Sequence, residues 1–208
     1  MNSLLFLFLS FFFLHSSLAN FDFYMLSHTW PPSFCLKKNC KGRLLGKFTI
    51  HGLWPQNNSS PQPAGCTSNY TFKAEDLPAK LKTDWPAIIG DDTDLWKYEW
   101  NEHGTCSMLT PNEYFKHSLA LYGKPGKNIK DILAKAKIKA GEELVKRTDI
   151  EAAIKNHIKK EPQIVCDPTK EYLLEIRICY DKSDNYKDCA SYTTSCNEEV
   201  RYPYRIKL

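Results

Sequence analysis

The amino-acid sequence predicts an α+β domain, because helical and extended periodicities occur in separate groups rather than in strict alternation. Over residues 172–180, Leu174, Ile176, Ile178 and Tyr180 alternate with Glu175, Arg177 and Cys179. That two-residue period fits an antiparallel strand with one buried face and one wet or partly covered face. Thr110-Pro111-Asn112-Glu113 is a capping box with proline at the first helical position, followed by Phe115, Leu119 and Tyr122 on one face.

Taken in chain order, the first feature is a leader. An apolar run over residues 4–14 is followed by Ser17-Leu18-Ala19. This predicts a secretory signal peptide over residues 1–19 and a single mature domain over 20–208. The run is too short to span a bilayer comfortably, and no second one follows, so no membrane anchor is expected. The leader carries no Asp, Glu, Lys or Arg, so the formal charge of +4 belongs to the mature part.

Residues 21–26 and 44–50 read as strands. In the second segment the chain delivers His51 and is then expected to break at Gly52 and Trp54-Pro55. A helix is expected from Thr110 to Gly123, where glycine ends it. A second, lysine-rich helix is expected over 128–138. A third is expected from Thr148-Asp149-Ile150-Glu151, read as another capping box, through Ile154 and Ile158 to a stop at Pro162. Residues 201–208 offer a last strand.

All eight cysteines lie beyond the leader: Cys35, Cys40, Cys66, Cys106, Cys166, Cys179, Cys189 and Cys196. An even count in an exported chain predicts four disulfides, though spacing alone leaves 105 pairings open. Structural zinc is disfavoured by export and by the lack of a Cys-x-x-Cys pair. Glycosylation sequons at Asn57, Asn58 and Asn69 fit the secretory route.

Two segments carry chemistry. One is Phe48-Thr49-Ile50-His51-Gly52-Leu53-Trp54-Pro55. The other is Trp96-Lys97-Tyr98-Glu99-Trp100-Asn101-Glu102-His103-Gly104-Thr105-Cys106, in which Glu99 and His103 share one helical face. Two histidines can take and give protons near neutrality. RNA carries its own nucleophile, the ribose 2′-OH. Its cleavage therefore needs a base, an acid and a group that handles charge at phosphorus, with no metal and no cofactor. His51, His103 and Glu99 suffice for that, and Trp54 offers a surface on which a base can stack. A zinc site built from the same three residues lacks supporting ligand spacing. His28, His117 and His157 are expected to be structural, with no acidic cluster around the latter two.

The two segments resemble the active-site motifs of the RNase T2 family: a strand bearing His-Gly-Leu-Trp-Pro and a helix bearing Glu-x-x-x-His-Gly-Thr-Cys. Phe21-Asp22, Trp30-Pro31-Pro32 and Ile176-Arg177-Ile178-Cys179 extend the likeness over the mature chain. The resemblance implies an RNase T2-like fold, a central antiparallel β-sheet with several packed helices. It implies His103 as general base, His51 as general acid, Glu99 as stabiliser of the phosphorane-like state, and Trp54 as a base contact. It also implies the pairings Cys35–Cys40, Cys66–Cys106, Cys166–Cys196 and Cys179–Cys189.

Two positions depart from the pattern. Tyr98 stands where many members have histidine, and Glu102 where many have lysine. An acid at Glu102 has the wrong sign beside a reacting phosphate unless it turns to solvent.

Among plant relatives the resemblance leaves stylar S-RNases of self-incompatibility, which act with pollen F-box proteins, and S-RNase-like enzymes of phosphate scavenging or defence. The basic charge favours the first. Eleven Lys or Arg against five Asp or Glu fall over residues 123–160, a face able to attract RNA or simply to be solvated. A secreted T2-like binding or storage protein without activity is disfavoured by the intact histidines and Glu99. The expected form is a secreted monomer acting on single-stranded RNA.

Overall fold

A computed structural model of the chain describes residues 20–36, 38, 40, 45–59, 61–126, 128–189 and 195–204. The proposed leader and the residues 205–208 of the expected last strand lie outside these. Among the described residues the elements run β1 (Phe23–Thr29), α1 (Pro31–Phe34), β2 (Thr49–Gln56), α2 (Leu81–Asp84), α3 (Asp92–Glu102), α4 (Pro111–Gly123), α5 (Ile129–Lys135), β3 (Leu144–Lys146), α6 (Arg147–Ile158), β4 (Gln163–Cys166), β5 (Leu173–Asp181), β6 (Tyr186–Lys187) and β7 (Glu199–Arg201). This is the α+β class that the grouped periodicities predict.

The main sheet is antiparallel, in the order β2-β1-β5-β4, with β6 added to the end of β5. β3 and β7 form a separate two-stranded ribbon. One face of the sheet meets the helices. Leu26, Ile50, Leu53, Ile176, Ile178 and Tyr180 point there, into a core that includes Trp85, Trp100, Tyr114, Phe115 and Ile154. Aromatic rings stack through it: Trp30 to Phe48 at 5.0 Å, and Trp85 to Phe115 at 5.2 Å. Fully burying such side chains contributes ~1.5–3 kcal/mol each.

Four disulfides join Cys35–Cys40, Cys66–Cys106, Cys166–Cys196 and Cys179–Cys189, the set that the family resemblance implies. Cys66–Cys106 spans 40 residues and ties the polar loop after β2 to the chain just past His103.

Several local expectations are corrected. The strand expected over 44–50 begins at Thr49 and runs on through Gly52 and Pro55 to Gln56. Proline is tolerated because β2 is an edge strand, so the missing N–H leaves no partner unpaired. β1 extends to Thr29, three residues past the expected end, because it is paired on both sides. α5 is shorter than expected, ending at Lys135.

α6 starts at Arg147, not at a Thr148 cap. Lys146 precedes it without a side-chain cap, and the Arg147 N–H donates to the Glu198 carbonyl at 2.8 Å, so a tertiary contact replaces the capping box. The helix ends at Ile158, where Lys159 turns left-handed at φ 63°, before Pro162 is reached. The box at Thr110 does form: Thr110 N–H donates to Glu113 Oε2 at 2.9 Å, and Glu113 N–H to Thr110 Oγ1 at 3.4 Å. Such caps contribute ~1 kcal/mol.

Candidate active site

The site lies on the face of the sheet opposite the helix-packed core, where β2, β1 and β5 meet the end of α3. A β-bulge aims His51. Ser27 pairs with Gly52 and His28 with Ile50, so His51 is the extra residue of β2. The insertion lets Ile50 and Leu53, three apart, both face the core, while His51, Gly52 and Trp54 face the site. The same phase jump is visible in the apolar pattern of the sequence.

α3 carries the second half. Asp91 caps it through Thr93 N–H at 2.7 Å, and Asp92 and Asp94 lie favourably in its first turn. Trp96, Glu99 and Trp100 form its buried face, and His103 follows as its C-cap, one turn after Glu99. Gly104 then lies so close to Trp100 that a Cβ there would enter the indole. This lets the chain turn tightly into the 3-10 segment Gly104–Ser107 that holds Cys106.

Trp54 joins the halves. Its ring centroid is 5.3 Å from that of His51 and 5.5 Å from that of His103. Its indole N–H donates to Glu99 Oε2 at 3.3 Å. Gly52 makes that approach possible, since a Cβ on it would overlap both the Glu99 carboxylate and the Trp54 nitrogen. The structure thus gathers His51, Trp54, Glu99 and His103 in one place.

Their proton affinities diverge. Burial by itself would lower His51, but the hydrogen bond and charge of Glu175, with Glu99 assisting, outweigh it and raise its pKa. His103 falls to about 4, first through burial and then through the nearby charge of His51. Its Nδ1 is buried with no hydrogen-bond partner among the described residues. Glu99, 1% exposed, is pushed up to about 7, chiefly by burial. The site therefore pairs an imidazole that holds its proton more tightly than usual with one that holds it less tightly, beside a carboxyl that titrates near neutrality. One imidazole is ready to give a proton and the other to take one.

Glu175 and Arg177 are not among the candidate site residues read from the sequence. Glu175 Oε1 lies 2.5 Å from His51 Nδ1, and its Oε2 accepts from Ser27 and Arg177. The Arg177 guanidinium lies over Trp54, 4.9 Å from the ring centroid. The available signal is an acid and a base two apart on one face of β5, which the alternation reads as a wet or partly covered face. Instead Glu175 is 4% exposed.

Glu102 is only half-buried, and its charge reaches Glu99, helping to raise it. Tyr98 is 59% exposed. Of the sequon residues, Asn58 and Asn69 are exposed, whereas Asn57 is half-buried and its amide donates to the Pro61 carbonyl at 3.1 Å.

The other histidines lie elsewhere. His28 is buried against Tyr122, with Nδ1 3.0 Å from the Ile176 carbonyl. His157 Nε2 lies 2.9 Å from the Pro125 carbonyl. His117 meets a single acid: its Nε2 lies 2.7 Å from Asp184, which folding brings in from a distant turn. Among the described residues no three His, Cys, Asp or Glu are grouped to hold a metal ion, and no helix is long and apolar enough to cross a membrane.

The described geometry has counterparts. The model of the Ribonuclease T2 family matches residues 21–189. Ribonuclease DdI of Dictyostelium discoideum is 33% identical, covering 89% of this chain and 86% of its own length. Extracellular ribonuclease LE of Solanum lycopersicum is 32% identical, covering 88% of this chain and 87% of its own. The crystal structure of Japanese pear S3-RNase superposes with a TM-score of 0.75 at 28% identity, over 86% of this chain and 98% of that one.

Proposed function

The chain belongs to the Ribonuclease T2 family and is a metal-independent endoribonuclease, and we propose that it cleaves single-stranded RNA through His103, His51 and Glu99. His103, held neutral by burial, takes the proton of the ribose 2′-OH. The 2′-oxygen then bonds to phosphorus. The bond from phosphorus to the 5′-oxygen breaks as cationic His51 gives its proton to that oxygen. The products are a 2′,3′-cyclic phosphate and a 5′-OH. In the slower hydrolysis, water takes the place of the 5′-OH and the histidines exchange roles. The Glu99 carboxyl donates a hydrogen bond to a phosphoryl oxygen, and Trp54 contacts a base.

The observation that carries this reading is a single indole flanked by two imidazoles of opposite proton affinity. The test is an RNA-gel assay in EDTA. Wild type should degrade single-stranded RNA, and His51→Ala and His103→Ala should not. Loss of wild-type cleavage in EDTA, or full activity in both variants, overturns the reading.

The same proposal takes residues 1–19 as a signal peptide and 20–208 as one domain, secreted and monomeric, with glycans favoured at the exposed Asn58 and Asn69. The complete pairing of cysteines supports export, as does the name of the tomato relative. The basic charge and the pear S3-RNase likeness support a stylar S-RNase of gametophytic self-incompatibility, whose partners would be pollen F-box proteins. Style-restricted transcripts with divergent alleles are expected. A second reading, an extracellular enzyme of phosphate scavenging or defence, is favoured by the comparable likeness to the tomato enzyme. Transcripts induced in leaf or root by phosphate starvation would establish it instead.

A further inference from the structure

We infer that Glu175, clamped by Ser27 and Arg177, is a positioning residue that holds a proton on His51 Nδ1 and so aims His51 Nε2 at the scissile bond. This rests on the acid role proposed above for His51.

The contacts are directional. Glu175 is a carboxylate on a central strand, 4% exposed. Its Oε2 accepts from Ser27 Oγ at 3.0 Å, from Arg177 Nε at 3.0 Å and from Arg177 Nη2 at 2.7 Å. Its Oε1 points the other way, to His51 Nδ1 at 2.5 Å. Arg177 is itself fixed, by Nη1 donating to Gln163 Oε1 at 3.1 Å and by the indole beneath it. Ser27 lies directly across the β1–β5 ladder from Arg177. The carboxylate therefore has little freedom to rotate away from the imidazole. A carboxylate accepts and does not donate, so the proton of that contact belongs to Nδ1.

The consequence is chemical. With Nδ1–H fixed, Nε2 is the nitrogen that titrates. Cationic His51 loses the Nε2 proton to the 5′-oxygen and becomes the neutral Nδ1–H tautomer without rotating. That tautomer carries its lone pair on Nε2, which is what the hydrolytic step requires when water must lose a proton. One orientation serves both half-reactions. A purely structural role for Glu175 would be complete with Arg177 and Ser27, and the bond to His51 would be surplus. The ionisable groups facing His51 are Glu175 and Arg177 from β5 and Glu99 and His103 from α3. Arg177 opposes the ring's positive charge, and Glu175 and Glu99 favour it. The Glu175 carboxylate is held down to about 2: burial opposes ionisation, but His51 and Arg177 together outweigh it.

The experiment compares Glu175→Gln, Glu175→Asp and the double variant Glu175→Gln/Arg177→Gln with wild type. It uses steady-state kinetics across pH and ¹⁵N NMR titration of the histidines. The double variant guards against an effect of the partly buried Arg177 losing its carboxylate partner, and thermal melts establish folding. In Glu175→Gln, kcat should fall ~10²-fold, the cost of a catalytic group misplaced by ~1 Å, with KM little changed. His51 should titrate ~1–3 pH units lower, and the alkaline limb of the rate should move down with it. Glu175→Asp should restore part of both. If folded variants keep the wild-type His51 titration and alkaline limb, the inference is wrong, whatever happens to their melting. If His51→Ala stays active, the acid assignment falls instead, and the NMR titration still reports on the contact.

Discussion

Gly52→Ala should inactivate the enzyme while leaving it folded. Gly52 lies at the β-bulge, and its backbone has no left-handed φ, so alanine meets no conformational penalty there. The penalty is one of space. The new methyl would lie about 1 Å inside ordinary van der Waals contact with both the Glu99 carboxylate and the Trp54 nitrogen. Glu99 is almost fully buried on a helix, and Trp54 is wedged among both imidazoles and Arg177. Neither can move without disturbing the groups around the phosphate. Displacement by ~1 Å predicts a loss of ~10²-fold in kcat/KM, against a stability cost of ~1–3 kcal/mol for one added methyl in a packed site. Cleavage of a short RNA, followed beside thermal melting, separates the two effects. Gly123→Ala at the exposed end of α4, where a Cβ meets open space, is the control and should match wild type. A folded Gly52→Ala enzyme with turnover within about twofold of wild type would remove the argument that this glycine makes room for the site.

The remaining predictions concern charge and covalent links. The rate should rise with pH through about 4, because His103 must be neutral to act as base and its pKa is depressed; it should fall again above neutrality, where His51 loses the proton that its raised pKa retains. Glu99→Gln should cost activity yet raise the melting temperature at pH 8 and not at pH 4. The folded carboxyl titrates near 7 against 4.5 unfolded, so its ionisation destabilises the fold only as pH rises through that window. Glu102→Lys should increase turnover by replacing an anion with a cation beside the reacting phosphate; an unchanged or lower rate would remove that electrostatic argument. Replacing Cys66 and Cys106 by alanine should cost ~4 kcal/mol, the loop-closure entropy for a 40-residue separation, measurable by urea unfolding.

What was legible in the sequence was what local spacing determines. Glu99 and His103 share a face because they are four residues apart on a helix, and α4 begins where its capping box says it should. The strand β5 was readable because its period is two. What was not legible came from pairing partners distant in sequence. Pro55 read as a break because its tolerance depends on β2 being an edge strand. Thr148 read as a cap because nothing local reveals the Glu198 carbonyl that takes over the first turn of α6. The sequence leaves the face of Glu175 wet or partly covered, because its burial depends on Ser27, Arg177 and His51 arriving from β1, β5 and β2 together. The bulge at His51 is an intermediate case: the phase jump between Ile50 and Leu53 was present, and only its interpretation was missing.

That bulge helps to explain how two similar side chains come to differ in proton affinity. Both histidines are partly buried, which by itself lowers the proton affinity of each ring. The difference is supplied by their partners. His51 is presented by an extra strand residue directly against Glu175, an anion that cannot turn away. His103 ends a helix with Nδ1 buried, and among the described residues the charge that acts on it is the positive charge of His51. Once one ring is charged, it suppresses the charge on the other, so the asymmetry reinforces itself. On the proposed mechanism, the sheet carries the proton donor and the end of a helix carries the acceptor. Trp54 lies between the two rings and donates a hydrogen bond to Glu99 without adding charge of its own.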